Sequence, residues 1–174
     1  SPTNKVMVNG AYNADCMWDD KIRAYVYSEM LYNFDEVKYK AGADAYVNEL
    51  VAEYITAYYG DYADEVQGIV TALQTAFNEY GALKANTSSA SKIDIAIIQD
   101  QISFIAAAIN ANNDATMEKR LYAVKASVLA TLYENSKPLY VSQWSYKAEF
   151  KTACDNAGIT MWSETQTITE KFGS

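Results

Sequence analysis

The chain has 174 residues with 14 Lys or Arg, 22 Asp or Glu and no His, a formal charge of −8 at pH 7. A surface of that sign repels phosphate backbones, so no nucleic-acid partner is expected. The lack of His also removes Ser-His-Asp and Cys-His nucleophiles, His-ligated zinc and HExxH chemistry.

Half the residues are apolar, and only seven Gly and two Pro interrupt them. That composition suits one domain of long helices. The apolar runs are short and broken by Tyr, Asn, Gln or acids, so neither a membrane span nor a signal-peptide core is expected. The chain opens at Ser1-Pro2-Thr3 without Met, as a mature form, a proteolytic product or a piece of something longer would. Residues 1–18 read as a linker or irregular segment, and residues 19–174 as a single all-helical domain.

From Asp19 to Tyr32 the apolar positions Ile22, Tyr25, Val26, Met30 and Leu31 recur at helical spacing behind an Asp19 or Asp20 cap. A second helix, capped by Asp44, carries Val47, Leu50, Val51, Tyr54, Ile55 and Tyr58 as one stripe and stops at Gly60. Gly60 can adopt a positive φ without a Cβ penalty, and Asp61 is placed to cap the next helix, with Asp64 and Glu65 in its first turn. Gly60 and Asp61 are therefore expected as the corner of a tight αα-hairpin. Its second arm would bury Val66, Ile69, Val70, Leu73, Phe77 and Tyr80 before Gly81.

The polar stretch from Leu83 to Ala90 reads as a loop, and Ser91 with Asp94 as a capping box. Ile95, Ile98, Ile102, Ile105 and Ile109 then mark a helix despite their β-branching, because their spacing is 3–4. Asn112-Asn113-Asp114 makes a turn and cap. Met117, Leu121, Val124, Val128 and Leu132 set out another helix that ends before Pro138. A further helix from about Ser145 would bury Tyr146, Phe150 and Cys154 and close at Gly158. A short last helix is expected from about Ser163 to Phe172, with Ser163 and Gln166 as its capping pair. The fold class that follows is all-α, an antiparallel bundle of about six or seven helices built from αα-hairpins.

Chemistry is sparse. Cys16 and Cys154 are too few for a disulfide framework, and spacing does not decide whether they pair. Phosphate-loop, dinucleotide, nucleophile-elbow and calcium-loop motifs are missing, so neither a cofactor nor a metal nor a catalytic residue is assigned. Acids at helix starts, such as Asp61, Asp64 and Glu65, read as complements of the helix dipole before they read as catalytic pairs. Glu164, beside Trp162, could contact a sugar but sits in an expected capping turn. Fifteen Tyr against five Phe is the more unusual feature. A ring with a hydroxyl suits half-buried positions and stacking on sugars. Tyr58, Tyr59, Tyr62, Trp144, Tyr146 and Trp162 form a candidate exposed set, with the rim of a helical core as the plainer reading.

Several of these segments resemble the C-terminal helical region of a family of secreted bacterial proteins of unknown function, distant relatives of α-glucuronidases and other barrel glycoside hydrolases. The resembling order is Tyr12-Asn13, then Leu31-Tyr32-Asn33-Phe34-Asp35, then Tyr58-Tyr59-Gly60 with an acidic restart. The family's Leu-Trp-Asn-Pro-Asp segment has Tyr32 for its Trp and Phe34 for its Pro here. Arg120 and the Phe150, Gly158-Ile159, Glu164 spacing also fit.

The resemblance implies a helical domain that packs on a catalytic (β/α)8 barrel outside this chain, in an extracellular or cell-surface protein. Catalytic carboxylates of such enzymes lie on barrel strand ends, so none transfers. Tyr58, Tyr59 and Gly60 would transfer as the hairpin corner, and Leu31, Tyr32, Asn33 and Asp35 as the turn between the first two helices. The expected function is a non-catalytic accessory domain of a carbohydrate-processing protein, with a glycan or the neighbouring barrel as partner, and an exposed tyrosine-rich face where the barrel would sit. The alternative is an independent helical protein-protein interaction module. An enzyme using two carboxylates on the bundle is the third and weakest reading.

Overall fold

The computed structural model describes residues 19–80, 94–136, 140–163 and 165–173. Over them the chain runs α1 (Asp19–Tyr32), α2 (Glu36–Ala41), α3 (Ala43–Tyr59), a 3-10 turn (Gly60–Tyr62), α4 (Ala63–Tyr80), α5 (Ile95–Ala111), α6 (Ala115–Ser136), a second 3-10 turn (Val141–Gln143), α7 (Lys147–Ala157), β1 (Met161–Ser163), β2 (Gln166–Thr167) and α8 (Ile168–Phe172). The fold is all-α, a helical bundle with one two-stranded antiparallel ribbon. The proposed linker 1–18, Cys16, Gly81, the loop 83–90, Ser91, Pro138 and Glu164 fall outside the described residues, as do the side chains of Phe77 and Tyr80.

The long helices pack in chain order, α1 on α3, α3 on α4, α4 on α5, α5 on α6 and α6 on α7. Their apolar stripes supply the core: Ile22 and Val26 from α1, Leu50 and Ile55 from α3, Val66 and Ile69 from α4, Ile98, Ile102 and Ile105 from α5. Helix α6 lies between α5 and α7, so it buries Ala126, Ser127, Leu129 and Ala130 in addition to the Leu121, Val124, Val128 and Leu132 stripe. Small residues there let both neighbours approach closely. Cys154 is buried on α7.

Four boundaries differ from the sequence expectation. Asp35 starts an additional short helix, α2, by accepting from the Val37 and Lys38 amides at 3.0 Å each. Because α2 ends in Gly42, α3 begins at Ala43 and Asp44 lies in its first turn instead of capping it. At the hairpin, Asp61 lies inside the 3-10 turn rather than at the cap of α4, while Asp64 and Glu65 occupy the first turn of α4 as expected. Asp94 itself caps α5, accepting from the Ala96 amide at 2.9 Å.

The last segment is a larger correction. Ser163 belongs to β1 and Gln166 to β2, and α8 starts only at Ile168. Its cap is Thr167 with Glu170, a full capping box. A charged Glu at the third helical position favours the positive helix end more than a Gln would. The extended β1 strand also brings Trp162 against Tyr133, Phe150 and Phe172.

Candidate functional site

Among the described residues, two places offer a surface to a ligand or a partner. One is a pocket of about 220 Å³ lined by Lys21 of α1, Tyr58 and Tyr59 of α3, Lys119, Arg120 and Ala123 of α6, and Ala157, Gly158 and Ile159 at the end of α7. The other is the corner between α1 and α2.

Helix ends build the pocket. Helix α3 stops at Tyr59 because Gly60 takes φ 53°, ψ −120°, a region of backbone space that glycine reaches freely. Helix α7 stops at Gly158, whose φ of 71° and ψ of 28° close a Schellman motif. In that motif the Gly158 amide donates to Asp155 at 3.1 Å and the Ile159 amide to Cys154 at 2.8 Å. Helix α3 thus brings its carbonyl end to α6, where Arg120 donates through a guanidinium nitrogen to the Tyr58 carbonyl, and the end of α7 comes close to Lys119 of the same helix at Gly158. The guanidinium carbon also lies 4.1 Å from the Tyr58 ring centroid. An arginine at a helix C-terminus both satisfies an orphan carbonyl and complements the dipole.

The tyrosines behind Arg120 form a chain of rings. Tyr25 meets Tyr54 at 5.5 Å, Tyr54 stacks on Tyr58 at 5.3 Å, and Tyr58 meets Tyr59 edge-on at 5.1 Å. Tyr59 is 3% exposed. Desolvation by burial pushes its hydroxyl well above the ordinary tyrosine range, so it stays neutral. Tyr59 is therefore a core residue and not part of an exposed binding set. Tyr58 is half-buried, with Tyr54 and Arg120 both against its ring, so a sugar would have to displace one of them to stack on it.

The other proposed contact residues divide differently. Trp144 is 6% exposed, packed on Tyr133 at 5.0 Å and on Phe150 at 5.6 Å. Its indole nitrogen is buried without a hydrogen-bond partner. Burial removes Trp144 from the surface set. Trp162 is half-buried in the same aromatic cluster, and Lys171 lies 5.7 Å from its ring centroid. Tyr146 is half-buried and accepts from Gln99 at 2.8 Å, tying α7 to α5. Glu164 falls outside the described residues. Thus Tyr58, Tyr59, Gly60 and Asp61 share the hairpin corner, while Trp144, Tyr146 and Trp162 belong to the C-terminal half.

Among the described residues, the α1–α2 corner carries most of the large exposed apolar side chains, with Ile95, Phe104 and Tyr140 elsewhere. Tyr32 is 83% and Val37 80% exposed, and Tyr27, Leu31, Phe34 and Tyr39 each keep more than two fifths of their surface in solvent. The backbone beneath them is well fixed. Asn33 donates to Glu29 at 2.8 Å, Asp35 caps α2, and the Asp35 amide donates to the buried Tyr46 hydroxyl at 3.1 Å. Phe34 packs on Tyr39 at 5.2 Å and reaches Tyr46 at 6.4 Å. Around the patch the charges are already paired, Lys40 with Glu36 and Lys38 with Glu49. An apolar patch with a satisfied polar rim is the usual form of a docking surface.

Periodicity marks Leu31 as a core residue and misses the corner, because α2 is too short to show a stripe. The Asp35-Glu36 pair ahead of Val37 was the available signal. Among the described residues, no group of three or more His, Cys, Asp or Glu is placed to hold a metal ion, and no helix is long and apolar enough to cross a membrane. Comparison with known proteins returns no family model, no curated protein and no solved structure that matches this chain.

Proposed function

We propose that this chain is a non-catalytic helical accessory domain that docks through its α1–α2 corner onto a neighbouring domain of the same polypeptide, in a carbohydrate-processing protein of the glycoside hydrolase-like class. The observation that carries the docking is the corner itself, an ordered backbone that holds Leu31, Tyr32, Phe34 and Val37 in solvent. The resemblance of Leu31-Tyr32-Asn33-Phe34-Asp35 to the helical region of barrel-associated proteins supports the class of neighbour. It falls on three of those four residues, Leu31, Tyr32 and Phe34. A separate interaction module reading a partner helix would favour a concave aromatic groove, whereas the pocket between α3 and α6 sets three cations beside the half-buried Tyr58 and the buried Tyr59.

The test expresses the rest of the gene product separately and titrates it with this chain by calorimetry. Association in the micromolar range or tighter is expected, with a Tyr32→Ser, Val37→Ser double variant weakening it by about tenfold or more. A gene product with no further domain, no association, or an association indifferent to both substitutions would overturn the reading. A glycan array probed with the chain and its Tyr58→Ala and Trp162→Ala variants tests whether the domain adds an edge to a sugar site.

A further inference from the structure

Independently of the docking corner, we propose that the pocket between α1, α3, α6 and the end of α7 binds a small dicarboxylate. Three cations, Lys21, Lys119 and Arg120, line it, and among the described residues no acid does. That concentration is unexpected in a chain where 22 acids outnumber 14 Lys and Arg. Of the other described lysines, Lys38, Lys40 and Lys125 pair with Glu49, Glu36 and Glu149, whereas Lys151 donates to the Gly173 carbonyl and Lys171 lies over the Tyr133 and Trp162 rings. Among the described residues, neither Lys21 nor Lys119 forms an ion pair.

Helix ends account for part of this charge. The C-termini of α3 and α7 each present on the order of −0.5 elementary charge. Three cations against two such ends leave an excess of about two positive charges, which a dianion would neutralise.

Geometry selects the chemical class. Arg120 is held by its bond to the Tyr58 carbonyl and by the ring beneath it. A guanidinium has five donors in a planar fork, so a fixed one with donors to spare suits a carboxylate's two oxygens. Lys119 lies against Gly158, where a Cβ would come within 3.2 Å of its Nζ, so the glycine leaves room for the ammonium at the mouth. Lys21 stands on the α1 wall. The volume of 220 Å³ is below the usual range for drug-sized ligands. It leaves room for a small molecule such as a dicarboxylate of about four carbons.

Amide NMR titrations with succinate and with inorganic phosphate, at constant ionic strength set with sodium chloride, test the assignment. Succinate is expected to shift the Arg120 and Gly158 amides saturably, with a Kd in the millimolar range or tighter. Raising the salt severalfold should weaken it. Lys21→Gln and Lys119→Gln, at exposed positions that leave the fold intact, should each weaken it about two- to fivefold. Arg120→Lys, which keeps the charge and loses the fork, should weaken it about tenfold or more. Shifts that never saturate, saturation by phosphate alone, or succinate binding unchanged in Lys21→Gln and Lys119→Gln would each overturn the proposal.

Discussion

At the C-terminal end Tyr133, Trp144, Phe150, Trp162 and Phe172 pack together, with Phe150 and Phe172 at 4.9 Å and Tyr133 and Phe172 at 5.1 Å between ring centroids, whereas at the α1–α2 corner Tyr32, Phe34 and Tyr39 stand in solvent. The amino-acid types are nearly the same. What differs is how many elements converge. The buried rings come from α6, the end of the second 3-10 turn, α7, β1 and α8, so each is enclosed from several directions. Among the described residues, the corner rings rest on α3, through Phe34 against Tyr46. A ring closed in by several elements contributes to stability. One ordered on a single support is available to a partner.

The comparison breaks most readily at Phe150, which is fully buried among Trp144, Trp162 and Phe172. Phe150→Ala is expected to cost about 3–5 kcal/mol by lost transfer energy and the cavity left behind. Tyr32→Ala should change stability by no more than about 0.5 kcal/mol. Denaturant unfolding of both variants checks the pair. Similar losses in the two would mean that the corner is as enclosed as the C-terminal cluster.

Between the two regions lies the α3–α4 hairpin, and Gly60 measures how firmly it is set. Its φ of 53° with ψ of −120° is unfavourable for any residue with a Cβ. A Cβ built there would meet no atom within 4 Å. Gly60→Ala therefore isolates backbone strain from packing, and a loss of about 1–3 kcal/mol is expected in the same unfolding measurement. A neutral result would show that the turn relaxes into another geometry, and the carbonyl that Arg120 meets would move with it.

These features were unequally legible in the sequence. Stripes such as Ile98, Ile102, Ile105 and Ile109 state their buried face directly, because a helix with one packed side has one periodic signal. Helix α6 shows the limit. Flanked by α5 and α7, it buries Ala126, Ser127 and Ala130, which lie off its stripe. Glycine and asparagine-aspartate punctuation located the ends of α3 and α7 and the start of α6, where Asp114 accepts from the Met117 amide at 2.7 Å. Tyr59 and Trp144 stay open between surface and core in the sequence, and the structure buries both, for one reason. A ring with a polar edge can serve the core or the surface, and only tertiary contacts decide. The pocket was the least legible feature of all, since Arg120 and Tyr58 are 62 positions apart and nothing local relates them.

The smallest expected effect lies at α8, which anchors Phe172 in the aromatic cluster through a helix of five residues. The Thr167 amide and hydroxyl donate to the Glu170 carboxylate at 2.7 and 2.9 Å, and the Glu170 amide donates back to the Thr167 hydroxyl at 3.1 Å. The backbone bond first, and then the hydroxyl, hold the Glu170 carboxyl below its ordinary value. A depressed carboxyl adds stability that is present above the unfolded-state value and is lost as pH falls through the folded-state value. Since Glu170 is exposed, the loss should stay local, a fraying of the first turn of α8 while Phe172 remains packed. The protection factor of the Thr167 amide, its exchange rate set against the intrinsic rate at each pH, should fall in the native chain from neutral pH down through the carboxylate range, and should be low and nearly pH-independent in Glu170→Ala. Protection at Thr167 that survives acid unchanged would show that enclosure by five elements, and not the capping box, holds α8 in place, and would extend the contrast with the open corner to its backbone.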